Sequence, residues 1–202
     1  EDHIGGLDDI INNFNVKKFF MPDLYTTTKT FEEILTALEN KNLTYTIPKI
    51  GQNFILNNSK FKIIYFGTDN EDLNESSIII KLTYNNISFL FTADTTTNTE
   101  NKILTKDISA DILKVAHHGS RHATSNEFLE RVNPQYAIIT VGKNNDYNLP
   151  SKQALKRLND HNIKIYRTDI LGTIQITTNG QKININNFKT NTNMEENKWI
   201  TQ

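Results

Sequence analysis

Two periodicities take turns along the chain, and each change of period marks an element. Leu7, Ile10, Ile11 and Phe14 recur at helical spacing just after Ile4-Gly5-Gly6, which predicts a helix with Asp2 and His3 immediately ahead of it. Residues 17–21 read as a short strand closed by Pro22-Asp23. Thr30 is expected to cap a second helix that carries Phe31, Ile34, Leu35 and Leu38 on one face and ends near Asn42. The period then shortens. Strands are expected at 44–47, 54–56 and 61–66, broken by Gly51 and by the Asn57-Asn58-Ser59 turn. A hairpin at 78–84 and 87–92 turns on Asn85-Asn86, where asparagine tolerates a left-handed backbone.

The second half interleaves the two periods. A helix at 97–106 precedes a buried strand at 112–115, and Ser125 caps a helix bearing Phe128, Leu129 and Val132 that Asn133-Pro134 stops. A strand at 136–141 and a polar loop at 142–150 follow. Ser151 opens a helix with Ala154, Leu155 and Leu158, residues 163–166 form a strand, and Gly172 and Gly180 punctuate final strands at 173–177 and 182–185. Hairpins mixed with strand-helix-strand units imply an α/β architecture of mixed β-sheets flanked by helices. The chain's 202 residues suit one domain, placed at 1–187, with the Asn- and Thr-rich stretch 188–202 as a polar tail or linker.

Composition adds limits. Hydrophobic residues make up 37% and charged residues 22%, and no apolar run reaches the roughly 18 residues of a membrane span. A net charge of −1 and a pI near 6.6 give no global basic field for a polyanion, although a bound metal supplies positive charge locally. With no cysteine, any metal must be held by His, Asp, Glu or other oxygen donors. Glu1-Asp2-His3 lacks the charged and apolar regions of a signal peptide, and the chain is expected to be cut from something longer.

Three places concentrate ligand chemistry. Asp2-His3 precedes a helix, where an isolated aspartate would be read as an N-cap. Asp94 stands at the exit of the mostly apolar strand Ser88-Phe89-Leu90-Phe91-Thr92, where a carboxylate needs a partner or a cation. His117-His118 follows the apolar strand Ile112-Leu113-Lys114-Val115 and leads into Gly119-Ser120. Alternation at an extended strand end would point the two imidazoles to opposite sides, one toward metal and one toward substrate; His118 is taken as the ligand and His117 kept as a second candidate. Ser120 either bonds a ligand oxygen or starts the next turn. His122 and His161 are expected at the surface. Arg121, Lys143, Lys152 and Arg167 are candidates for phosphate contacts, against the ordinary reading as solvated surface.

In these residues the chain resembles the metallo-β-lactamase superfamily, and within it the ComEC-type hydrolase domain of DNA-uptake proteins. Asp2-His3-Ile4-Gly5-Gly6-Leu7 is similar to the end of the superfamily's His-x-His-x-Asp-His signature, which places the first two histidines ahead of Glu1. Asn74-Glu75-Ser76-Ser77 resembles an Asn-x-x-Ser segment, and Phe91-Thr92-Ala93-Asp94 a Leu-Thr-Gly-Asp strand end. Residues 113–120 resemble Leu-Lys-Val-x-His-His-Gly-Ser, residues 141–150 the Val-Gly-x-Asn-x-Tyr-Gly-His-Pro loop, and Tyr166-Arg167-Thr168-Asp169 the closing Tyr-Arg-Thr-Asp hairpin. Asn148 and Leu149 depart from the Gly-His of that loop.

The resemblance implies an αββα sandwich whose first strands lie outside the chain, and two divalent ions, zinc or manganese. It implies metal ligands Asp2, His3, Asp94, His118 and His117, catalytic roles for Asp2, His117 and Ser120, and substrate contacts at Asn74, Ser120 and Asn148. The activity implied is hydrolysis of a DNA phosphodiester by metal-activated water, in a domain outside the cytoplasm that belongs to a membrane-embedded parent or is secreted. The rivals are another ester on the same centre, such as a phosphocholine ester or lactone, and a degenerate binding domain without catalysis.

Overall fold

A computed structural model of the chain describes residues 2–68 and 72–188. The tail expected at 188–202 therefore lies outside the described residues except for Phe188, which ends the last strand.

A small layer comes first. Helix α1 (Leu7–Asn13) leads to β1 (Phe19–Phe20), helix α2 (Lys29–Asn40) and β2 (Tyr45–Thr46), and the two short strands pair in parallel. The stripe read from the sequence packs as a local core, with Ile11, Ile34, Ala37 and Leu38 buried against Leu7, Val16 and Phe19. The α2 cap is Thr28 and not Thr30: Thr28 is extended, at φ −75° and ψ 145°, and its hydroxyl accepts the Phe31 N–H, whereas Thr30 already lies inside the first turn.

The main sheet has seven strands in sequence order: β3 (Asn53–Leu56), β4 (Ser59–Phe66), β5 (Ile78–Tyr84), β6 (Ile87–Phe91), β7 (Ile112–Lys114), β8 (Tyr136–Ile139) and β9 (Lys164–Arg167). Strands β3 to β6 form an antiparallel meander, and β6 to β9 run parallel. Parallel neighbours require crossovers. Helices α3 (Thr97–Ile103), α4 (Asn126–Val132) and α5 (Lys152–Asp160) supply them, and their apolar residues Ile103, Phe128, Leu129 and Leu158 pack on Leu90, Leu113, Ala137 and Ile139. Successive strand residues face opposite ways, so Ile112 and Ile138 point to the other face. There they meet Ile174, Ile176 and Ile183 of the hairpin β10 (Thr173–Thr178) and β11 (Ile183–Phe188). The chain is thus α/β, a mixed sheet flanked by helices.

Several expected elements are shorter: the strands at 112–115 and 136–141 close at Lys114 and Ile139, and the helix at 97–106 at Ile103. A one-turn helix α6 (Thr168–Leu171) falls where the sequence shows no helical period. The carboxyl ends of β6, β7, β8 and β9 all open on one rim of the sheet, a usual position for a site in such folds.

Candidate metal centre

Two left-handed turns build one wall of this rim. Past β6, Thr92 is fully buried and donates its hydroxyl to the Lys114 carbonyl at 2.6 Å, and Ala93 adopts φ +47°. Asp94 is then turned inward, its N–H donating to the Ser77 hydroxyl at 3.2 Å. Past β7, His117 and His118 both adopt positive φ, 47° and 52°. A left-handed residue other than glycine costs about 1–2 kcal/mol, so two in succession need support. The His117 N–H donates to the Ala93 carbonyl at 3.0 Å, and the Ser120 N–H to the His117 carbonyl at 2.8 Å. Gly119 continues the turn at φ +82°, and a Cβ there would lie 2.6 Å from the Pro150 Cβ.

The expected alternation of the two imidazoles therefore has a different cause. Nothing at 117–118 is extended; consecutive left-handed residues rotate the rings 78° apart, with centroids at 6.5 Å. His118 turns to the carboxylates. His117 does not join them, and the structure does not bring it to the ligand cluster in which it was expected.

That cluster consists of Asp2, His3, Asp94 and His118, each offering one ligand atom, with all four atoms within 4.8 Å of one another. His118 Nε2 lies 2.9 Å from Asp2 Oδ2 and 3.5 Å from Asp94 Oδ2, and His3 Nε2 lies 3.0 Å from Asp94 Oδ1. His118 Nδ1 lies 2.5 Å from the Thr140 carbonyl, an acceptor that assigns the proton to Nδ1 and leaves the Nε2 lone pair facing the carboxylates. Despite these approaches, neither Asp94 Oδ1 nor His118 Nε2 makes a hydrogen bond of good geometry, and both atoms are buried. Buried acceptors converging without donors suit a cation, so the residues fit a metal ion.

The electrostatics agree. Burial opposes ionisation of Asp94 most strongly, yet the imidazoles of His118 and His3 beside it override burial and hold the carboxyl far below its usual range. The Asp94 carboxylate beside it raises His118 above an ordinary imidazole, against the effect of burial. For Asp2, burial is again the largest influence and is outweighed by His3 and other neighbours, so its pKa is lowered.

No protein-family model matches the chain. ComE operon protein 3 of Bacillus subtilis is 31% identical over 178 residues, covering 87% of the chain and 23% of that protein. Competence protein ComA of Neisseria gonorrhoeae is 32% identical across 52% of the chain and 16% of its own length. Recombination protein 2 of Haemophilus influenzae is 27% identical across 58% of the chain and 15% of its own length. Along 87% of its length the chain is thus homologous to part of a ComEC-type competence protein. It spans less than a quarter of the length of these relatives. A solved structure from Parabacteroides distasonis overlays with a TM-score of 0.49 at 10% identity across 79% of each chain, too distant to bear on function.

Within the chain the remaining expected residues separate into two neighbourhoods. Asn74 lines a hollow with Asp2, His3, Ser77 and Asp94. Ser120 and Asn148 instead line a second cleft together with His117. Ser120 is 7% exposed and accepts the His122 N–H at 3.3 Å, so it serves the turn. His122 is exposed as expected, whereas His161 is half-buried at the end of α5.

Lys114 was not singled out from the sequence. It is buried beside the cluster, its Nζ 4.0 Å from Asp94 Oδ1 and 3.4 Å from the Ala93 carbonyl, and burial lowers its pKa against the pull of Asp94 and Asp2. A lysine inside the run Ile-Leu-Lys-Val was the available signal, because a charge in a buried strand needs a reason. Glu75 is also buried; it accepts from the hydroxyls of Thr96 and Thr99 and so ties the 74–77 segment to the start of α3.

Proposed function

We propose that this domain is a metal-dependent phosphodiesterase acting on DNA, working as part of a larger ComEC-like DNA-uptake protein outside the cytoplasm. The observation that carries the reading is the convergence of Asp2, His3, Asp94 and His118 on one point, with two buried ligand atoms lacking donors. The names of the competence relatives support the DNA-uptake setting. The ions are two, zinc or manganese; the four donors account for one, and no further cluster of three or more such residues occurs among the described residues.

An ion held there supplies Lewis-acid stabilisation of the phosphoryl oxygens and activates water. The chain's own residues set the stage. Asp94 and Asp2 provide the negative charge that retains a cation, the Thr140 carbonyl fixes the His118 tautomer, and Lys114 places a buried positive charge behind Asp94. Asn74, which lines the hollow, is assigned to orient the diester.

Titration of the chain with zinc and with manganese by calorimetry, followed by assay of bis(p-nitrophenyl) phosphate, an oligonucleotide, a phosphocholine ester and a lactone, tests the reading. We expect binding and turnover of the two phosphodiesters. Turnover confined to the phosphocholine ester or lactone moves the substrate class, and absence of both binding and turnover removes the hydrolase reading. A binding domain without catalysis is the second reading. Leu149 favours it, lining the hollows on both sides of its loop where a histidine would offer a proton.

A further inference from the structure

The acidic cluster does not account for the cleft on the far side of the 145–149 loop. This cleft, of about 730 Å3, is bounded by His117, Ser120, Arg121, Tyr147, Asn148 and Lys152 among others. Its lining holds no carboxylate, in a chain with 23 acidic and 22 basic residues. Four basic residues were candidates for phosphate contact, and the structure separates them. Arg167 is closed off by Asp169, at 3.0 and 2.5 Å, and Lys143 lies outside the cleft. Arg121 and Lys152 both line it, and neither pairs with a carboxylate among the described residues; the Arg121 guanidinium reaches only His122 Nε2, at 2.9 Å. Unpaired cations around a hollow without acidic groups attract an anion.

The cleft adjoins the metal centre. Tyr147 and Leu149 line both this cleft and the hollow that contains Asp2, His3 and His118, while His117 lines the cleft alone. The loop between them is braced by Asn145, whose side chain donates to the Gly142 and Leu149 carbonyls at 3.0 and 2.8 Å and accepts the Leu149 N–H at 3.0 Å. Tyr147 stands on this braced loop with 83% of its surface exposed. A ring held in the open between a cationic cleft and a metal centre suits stacking on a nucleobase.

We propose that the cleft is a strand-binding subsite, in which Arg121 and Lys152 hold a phosphate flanking the one at the metal centre and Tyr147 stacks on an adjoining base. The ligand is single-stranded nucleic acid, because the bases of a duplex are stacked on each other and leave no face for Tyr147. The inference rests on the phosphodiesterase reading and narrows its substrate.

The test is binding of a fluorescent oligothymidylate to the chain in the presence of chelator, compared with a duplex and with an abasic strand. Arg121→Ala with Lys152→Ala should weaken strand binding at least about tenfold and lower the salt slope by about 0.7 per cation removed. Exchanging the two cations, Arg121→Lys with Lys152→Arg, should restore both, and Lys143→Ala should change neither. Tyr147→Ala should weaken oligothymidylate about fivefold or more and leave the abasic strand unchanged. Unaltered affinity and slope in the double variant, or equal binding of duplex and single strand with Tyr147→Ala silent, overturns the subsite. Hydrolysis of bis(p-nitrophenyl) phosphate, which has one phosphate and no flanking one, reports on the metal centre alone. If that diester stays intact with zinc and manganese while strand binding still depends on Arg121 and Lys152, the phosphodiesterase reading fails and the subsite survives. Hydrolysis of the diester with strand binding indifferent to those residues removes the subsite alone.

Discussion

The two walls of the metal centre are held in different ways. Asp94 and His118 hang from the ends of β6 and β7, central strands whose Leu90 and Leu113 are fully buried, and their side chains are only 15% and 18% exposed. Asp2 and His3 sit on a turn ahead of α1, with side chains 68% and 37% exposed. Helix α1 buries only Ile11 and has no side-chain cap at Gly6. One wall is thus positioned by the core before any ligand arrives, while the other is anchored by a short helix and by the charges it meets. Affinity for a cation should be set by the buried wall and trimmed by the exposed one.

Substitutions can break this contrast. The largest effect is expected for Asp94→Asn, which removes the carboxylate facing both imidazoles; zinc affinity by chelator competition should fall more than about 100-fold, beyond the 10–100-fold typical of a residue that only orients a ligand. His118→Ala should follow closely and lose metal occupancy by elemental analysis. His117→Ala should keep the metal and lose rate on bis(p-nitrophenyl) phosphate; equal metal retention in the two histidine variants would reverse the assignment. Asp2→Asn should cost about tenfold in affinity, as expected for a ligand from the exposed wall.

A pH series sharpens the same contrast. The metal requires a bare Nε2 on His118, and Asp94 raises the pKa of that ring, so below this raised value protons compete with the ion. Affinity should fall as pH falls, beginning above the ordinary imidazole value and approaching about tenfold per pH unit. Calorimetry in buffers of different ionisation enthalpy should record a proton released on binding. Affinity that is flat down to the ordinary imidazole value would show that His118 is not a ligand.

Much of the fold was legible because its signals were local. Period and turn residues place the hairpin at Asn85-Asn86 and the caps at Ser125 and Ser151, both of which accept the expected N–H three residues on. Asp2, His3, Asp94 and His118 were legible as residue types at element ends, and as matches to a resembled pattern. Their division of labour was not. Which histidine faces the carboxylates depends on two left-handed residues whose support, the Ala93 carbonyl, comes from a loop 24 positions upstream. The pairing of Arg167 with Asp169 and the freedom of Arg121 and Lys152 likewise depend on where loops end in space. The α6 turn has no side-chain cap and is tied down instead by tertiary bonds that no local period announces, such as the one in which the Thr168 hydroxyl accepts the Val141 N–H.

Gly67 never approaches a ligand, yet it sits against the segment that seats Asp94. A Cβ at that position would fall 2.0 Å from the Glu75 carbonyl oxygen, two residues before the Ser77 hydroxyl that receives the Asp94 N–H. Any side chain there must displace backbone, since no rotamer change can relieve such a contact. Position 67 is therefore a remote tuning point, where a single methyl group can misalign the chemistry without replacing any reacting residue.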